Sequence, residues 1–281
     1  MTPVLGLVYG RLEMALDSQV DQTDNILLRD ISEGVCTLTL NRPSKRNPLS
    51  DEMLAVLTEA LEEIDKNATI KVVILAANGP AFSAGHDLNE VRAIADDYHK
   101  IHDLFQRCSQ VMLGLTRLPQ PVIAKVQGTA TAAGCQLVAS CDLVIAAETA
   151  QFATPGVKIG LFCSTPAVAI SRTIGQKHAM EMLLSGDLFP ATEAHRFGLV
   201  NKIVPLDELD AVVWETAKNI SDRSSQTISM GKVGFYRQLD MDAEDAYAHT
   251  SDIMARNMAE HDAKEGIDAF LQKRRAVWRG R

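Results

Sequence analysis

Short apolar runs alternate along most of this chain with longer stretches whose apolar residues recur at helical spacing. Ile26-Leu27-Leu28-Arg29-Asp30 and Val35-Cys36-Thr37-Leu38-Thr39-Leu40, joined around Glu33-Gly34, predict a β-hairpin. The proline-rich stretch Asn41 to Leu49 cannot continue a strand. Ser50 then suits a helix N-cap, with Asp51 and Glu52 in the first turn and Met53, Leu54, Leu57, Leu61 and Ile64 as its apolar stripe. Val72 to Ala77 reads as a buried strand. Asp87-Leu88-Asn89-Glu90 has capping-box spacing and opens a helix predicted from Leu88 to about Thr116. Leu118-Pro119-Gln120-Pro121 ends that helix and starts the next strand.

After Pro121 to Val126 comes a ladder of small residues, Gly128 to Gly134. A helix-like run, Cys135 to Ser140, and another strand, Leu143 to Ala147, follow. Gln151-Phe152-Ala153 reads as an edge, and helices are predicted over about 165–174 and 176–185. This alternation is that of the α/β class, and it fills a core predicted over residues 25–205. Residues 206–281 are helical, with apolar stripes over about 207–221, 226–239 and 243–260. Residues 1–24 read as a flexible extension.

Composition narrows the partners. Against 36 acidic residues stand 28 basic ones, a net charge of −8 that argues against non-specific binding to nucleic acid or to an anionic membrane. No apolar run is long enough to span a bilayer, and Met1 to Tyr9 lacks the basic leader of a signal peptide. The five cysteines, Cys36, Cys108, Cys135, Cys141 and Cys163, show no zinc spacing; they read as reduced thiols of a cytoplasmic protein. His99 and His102 share a helix face but have no third ligand nearby, so no metal is expected.

The candidate chemistry sits where strands feed helices through small residues. The first such turn is Ala81-Phe82-Ser83-Ala84-Gly85-His86-Asp87; the second is Gly128-Thr129-Ala130-Thr131-Ala132-Ala133-Gly134. A helix that starts this way points its first N–H groups, the positive end of its dipole, into a cleft. Two backbone N–H groups converging from two turns make an oxyanion hole. Close packing of backbones selects the same small residues.

These two turns, with Asn41-Arg42-Pro43, Ala150-Gln151-Phe152 and Phe197-Gly198-Leu199-Val200, resemble the crotonase superfamily, also called the enoyl-CoA hydratase/isomerase family. The resemblance runs from about Ile26 to about Trp278. It implies a spiral of repeated ββα units with a C-terminal helical region that assembles trimers, commonly doubled to hexamers. It implies an acyl-CoA thioester as substrate, with coenzyme A part of that substrate and no separate cofactor. The oxyanion donors become the N–H groups of His86 and Ala133. Ala84 and Asp87 fall in the substrate-binding turn. Lys45 and Arg46 become candidate contacts for the CoA phosphates, as do Phe270 and Lys273 of the terminal Gly266-Ile267-Asp268-Ala269-Phe270-Leu271-Gln272-Lys273-Arg274 for the nucleotide. Cys163, beside Ser164, falls in the segment that borders the acyl pocket in the family. A solvated loop or helix end would equally use those four CoA-contact residues, Asp87 has a capping role of its own, and a buried inert thiol explains Cys163.

The chain departs from the hydratase pattern at the two positions where hydratases of this family carry glutamate. They are Gln136 and Gly156 here. Gln has no titratable proton near neutral pH and Gly has no side chain, so water cannot be activated and a proton cannot be delivered in the ordinary way. Poor hydration of crotonyl-CoA is therefore expected. The open alternatives are an acyl-CoA isomerase or thioester hydrolase that uses other residues (His86, Glu90, Gln136, Cys163 and Ser164 are candidates) and a non-catalytic acyl-CoA-binding regulatory protein.

Overall fold

The computed structural model describes residues 25–280; the stretch 1–24 and Arg281 lie outside the described residues. Strands β1 (Leu27–Ser32) and β2 (Val35–Leu40) form the expected antiparallel hairpin. Helix α1 (Asp51–Asp65) starts where Ser50 predicts, its hydroxyl accepting the Met53 N–H at 3.2 Å, and buries the anticipated stripe. Strand β3 (Val72–Ala77) is buried at every residue, because helices cover both faces of its sheet.

The chain continues through β4 (Ala81–Ser83), α2 (Leu88–Ala93), α3 (Tyr98–Arg117), β5 (Val122–Val126), β6 (Thr129–Thr131), α4 (Ala133–Ala139), β7 (Leu143–Ala147) and β8 (Gln151–Ala153). A 3₁₀ turn (Pro155–Ile159) leads to α5 (Ser164–Thr173), α6 (Gln176–Ser185), β9 (Phe189–Pro190), α7 (Ala191–Phe197) and β10 (Lys202–Val204). The remainder is α8 (Leu209–Ser221), α9 (Ser225–Gln238), α10 (Ala243–Ala259) and α11 (His261–Leu271).

One expected element divides. The single helix read from Leu88 to Thr116 is two helices, α2 and α3. Asp97 breaks it, since its carboxylate accepts the N–H groups of His99 and Lys100, both at 3.1 Å, and so caps a new helix. The capping box is also half right. Asp87 caps α2 by accepting the Asn89 N–H at 2.9 Å. Glu90, however, reaches across to the Asp51 N–H, at 2.8 Å, and ties α2 to the start of α1.

The strands make two sheets. The larger has the order β1-β2-β3-β5-β7-β10 and is parallel after the hairpin; the smaller has the order β4-β6-β8-β9 and is parallel except at its β8–β9 edge. The three central repeats, starting at β3, β5 and β7, each give one strand to each sheet and then a helix, which is the ββα spiral. One face of the large sheet packs on α1, α3 and α4. The other is covered by α8, whose Leu209, Val213 and Ala217 lie against Val35, Val72, Ile74 and Ile123. The apolar stripe of α8 is thus used within its own chain. Helices α9 to α11 behave differently. Helix α10 has no buried residue, and Phe235, Tyr247, Met254, Ile267, Phe270 and Leu271 of this layer are exposed.

Candidate active site

The two small-residue turns meet. At the first, β4 ends at Ser83 and the chain reverses through Gly85, whose φ of +91° is in the region open to glycine. A Cβ at Gly85 would lie 2.9 Å from the Ala132 Cβ and 3.2 Å from the Ala133 nitrogen, so a side chain there would hold the turns apart. Gly134 is as close to the other turn, its Cβ position being 2.7 Å from the Ser83 Cβ. The packing explanation for these small residues therefore holds, and the packing itself brings the backbones together.

Hydrogen bonds then fix the pair. The Thr131 hydroxyl donates to the Ala84 carbonyl at 3.2 Å, and the Ala132 N–H donates to the Ala153 carbonyl at 2.9 Å. On the opposite side the Asn41–Leu49 loop clips onto the first turn. The Ala84 N–H donates to the Arg46 carbonyl at 3.0 Å and the Leu49 N–H to the Gly85 carbonyl at 2.8 Å. These bonds leave the N–H groups of His86 and Ala133 without an acceptor among the described residues. Ala132, which precedes Ala133 in the second turn, has φ 51° and ψ −121°, a conformation that an L-residue adopts only when its surroundings impose it.

Lys45 and Arg46 are exposed on this same loop, beside the turn. Sequence reasoning missed what holds them. Asn47 is fully buried with φ 50°; its side-chain oxygen accepts the Arg42 N–H at 2.7 Å, and its amide donates to the carbonyls of Asn78 and Ala81, both at 2.9 Å. The signal was available, because asparagine is the residue other than glycine that most readily takes a left-handed turn conformation while bonding nearby backbone.

The His86 ring lies edge-on to Phe105, with centroids 5.4 Å apart, and its Nδ1 is 3.3 Å from the Leu49 carbonyl. That contact makes Nδ1 the protonated nitrogen and leaves Nε2 an acceptor. Nε2 is buried and has no hydrogen-bond partner among the described residues. Burial lowers the imidazole pKa, which the Leu49 hydrogen bond only partly offsets, so the ring is neutral at pH 7.

Gln136 sits one turn into α4, with 3% of its surface exposed and its amide oxygen buried without a partner among the described residues. Gly156 is the buried residue of the 3₁₀ turn. A Cβ there would overlap the Leu161 carbonyl oxygen and lie 2.8 Å from the Cys163 sulfur. Burial raises the pKa of the Cys163 thiol, and the nearby Gly156 backbone N–H only partly offsets it. A nucleophilic cysteine needs the opposite shift, so Cys163 is a packed, protonated thiol. Glu90 has its pKa raised by burial and by Asp87, and its carboxylate is committed to α1.

Phe270 and Lys273 are not part of this cluster. Phe270 is 82% exposed at the end of α11, which packs on α9 and α10, and Lys273 follows with φ 53°. Among the described residues no three His, Cys, Asp or Glu side chains converge to hold a metal, and no helix is long and apolar enough to cross a membrane.

Comparison with known proteins agrees with this architecture. The enoyl-CoA hydratase/isomerase family model matches residues 30–281. The chain is 48% identical over 248 residues to the human mitochondrial enoyl-CoA hydratase domain-containing protein 3, covering 88% of this chain and 81% of the relative. Its mouse counterpart is 46% identical over 247 residues, with coverage of 88% and 82%. Among solved structures, an enoyl-CoA hydratase from Mycobacterium smegmatis superposes with a TM-score of 0.89 at 49% identity, over 91% of this chain and 99% of that one. The human domain-containing protein 3 superposes with a TM-score of 0.87 at 45% identity, over 90% of this chain and all of that one. A fold of paired sheets wound as ββα repeats, two touching strand-to-helix turns, and identity at this level over nearly the whole length place the chain in the enoyl-CoA hydratase/isomerase family.

Proposed function

We propose that the chain binds acyl-CoA thioesters with the thioester oxygen between the N–H groups of His86 and Ala133. One observation carries this reading: the two turns are locked in contact, yet those two donors are left over. Each such donor contributes about 10²–10³ in rate when charge develops on the oxygen they share. Lys45 and Arg46, on the loop clipped to the first turn, are the cations placed to meet the CoA phosphates. The test is isotope-edited infrared spectroscopy of bound butyryl-CoA, which carries no double bond to react. The thioester carbonyl stretch falls to lower frequency in the complex; a stretch unchanged from free solution refutes the reading.

The chemistry around that oxygen is not ordinary crotonyl-CoA hydration. Neither Gln136 nor Gly156 can supply the missing carboxylates, and Glu90 is occupied elsewhere. Thioester hydrolysis through Cys163 is opposed by its raised pKa. His86 favours a second reading, double-bond isomerisation, because its Nε2 lone pair has no partner among the described residues and sits on a neutral ring at the same residue as one oxyanion donor. Turnover of an enoyl-CoA positional isomer, absent in His86→Gln, would support it. Retention of binding without any turnover favours a non-catalytic acyl-CoA-binding protein.

The exposed apolar surface of α9 to α11 supports self-association into a trimer or hexamer, with Phe270 and Lys273 completing the CoA site of a neighbouring subunit. Light scattering across a range of concentrations tests this, and a monomer mass throughout refutes it. The five described thiols are all buried and unpaired, which suits a reducing compartment. The cytoplasm provides one; the vertebrate relatives carry mitochondrial in their names.

A further inference from the structure

Lys232, on α9, has a side chain only 6% exposed, and its ammonium lies 2.7 Å from a carboxylate oxygen of Asp142. It also donates to the carbonyls of Leu115 and Gln120, both at 2.9 Å, which uses all three of its protons. One turn further along α9 the Tyr236 hydroxyl donates to the second oxygen of Asp142 at 2.8 Å. Asp142 is joined to the large sheet as well. It accepts the Val122 N–H at 2.6 Å on its side chain and returns its own N–H to the Val122 carbonyl at 2.9 Å. Burial lowers the Lys232 pKa, with Asp142 opposing it, and raises that of Tyr236.

A buried ion pair of this kind is weak evidence for stability, since well-packed apolar side chains of similar volume often do as well. What it provides is a fixed geometry, and its location decides what is fixed. Asp142 follows the end of α4. All seven residues of α4 are buried, and Ser140 and Cys141 continue its hydrogen bonding, their N–H groups bound to the carbonyls of Gln136 and Val138. From Ala133 to Asp142 the backbone therefore has no free joint. The other end of α4 meets β6 at Ala132, held in its imposed conformation.

We propose that Lys232 and Tyr236 are positioning residues for the acyl-CoA site: by holding Asp142 they fix α4 along its axis and so place the Ala133 N–H against the His86 N–H. This rests on the reading that these two groups take the thioester oxygen. A displacement at the Asp142 end passes along a rigid, close-packed rod to its first N–H. Free CoA, which has no thioester oxygen, is indifferent to that displacement.

The experiment uses the full-length protein with Tyr236→Phe and Lys232→Met, each checked for native circular dichroism and oligomer mass. Dissociation constants for butyryl-CoA and for free CoA are measured together with the carbonyl frequency of bound butyryl-CoA. Each variant weakens butyryl-CoA binding about fivefold more than it weakens CoA binding, the effect of one ordinary hydrogen bond. In each, the carbonyl frequency returns part of the way towards its value in free solution. Equal weakening for both ligands, or a carbonyl frequency like that of wild type, overturns the proposal, because general loosening of the fold does not discriminate between the ligands. If Lys232→Met does not fold, Tyr236→Phe decides alone, as it removes one hydroxyl and leaves the ion pair. An unshifted carbonyl in the wild type overturns the oxyanion reading and this inference together. A shifted wild type with unmoved variants overturns only the inference.

Discussion

Gly156→Ala tests whether the second hydratase carboxylate could ever be restored by a side-chain change. The new methyl group would overlap the Leu161 carbonyl oxygen and come within 2.8 Å of the Cys163 sulfur and 3.2 Å of the Leu161 carbonyl carbon. None of these neighbours is the free end of a flexible side chain. Leu161 is also bonded to Gly156, its N–H donating to the Gly156 carbonyl at 2.9 Å. Shifting the residue to make room forfeits that hydrogen bond, worth about 1 kcal/mol net. Overpacking a well-filled site adds roughly 1–3 kcal/mol. The expected loss is about 3 kcal/mol, measured by urea unfolding at fixed protein concentration and followed by circular dichroism. Gly156→Glu is worse again and gains no hydratase activity. A Gly156→Ala protein within about 0.5 kcal/mol of wild type, the scatter of a neutral surface change, would show that the 3₁₀ turn yields and that the reasoning fails.

The wild type hydrates crotonyl-CoA poorly, and Gln136→Glu, nearly the same shape, raises the rate only slightly because one buried carboxylate must serve as both base and acid; a wild-type rate of ~10² s⁻¹ or more in a standard hydration assay refutes this. The His86 pKa is lowered on folding, so the unfolded chain binds the extra proton. Stability then falls as pH drops from about 6.5 towards the folded pKa, and a His86→Gln variant loses that part of the slope in urea titrations run from pH 7.5 to 5. The thiols of Cys108 and Cys135 are pushed up to about 12 by burial and that of Cys163 is raised too, so a thiol-titrating reagent at pH 8 labels none of the three in the native protein and all of them after denaturation. Labelling of native Cys163 would reopen it as a nucleophile.

The hairpin, α1, β3 and the two small-residue turns were legible because each is written in a local code: alternation, a capping serine, or residues without bulk. What escaped depends on partners far along the chain. The second sheet was largely invisible because three-residue strands such as β4 and β6 are too short to show a period. The break between α2 and α3 was hidden because apolar spacing runs through Ile94 while Asp97 acts through its side chain. Glu90 matched a local capping box, yet the Asp51 N–H, 39 positions away, took its carboxylate. Nothing near Gly156 in sequence announces that the Leu161 carbonyl closes over it, and the pairing of Asp142 with Lys232 joins residues that share no motif.

The order of the strands also bears on how the chain is made. In both sheets, β1-β2-β3-β5-β7-β10 and β4-β6-β8-β9, spatial order is the order of synthesis. Each repeat leaving the ribosome therefore docks on the edge left by the one before, as in a stacked-repeat protein. An unpaired edge invites pairing with another chain, so every intermediate carries one such edge until the next repeat arrives. The last strand of the large sheet, β10, ends at Val204, and α8, which covers the open face, ends at Ser221. The Lys232 that neutralises part-buried Asp142 is made later still. A stall or truncation before these residues would release a chain with a bare edge, an uncovered apolar face and an unpaired carboxylate, the species that chaperones and proteases would meet first.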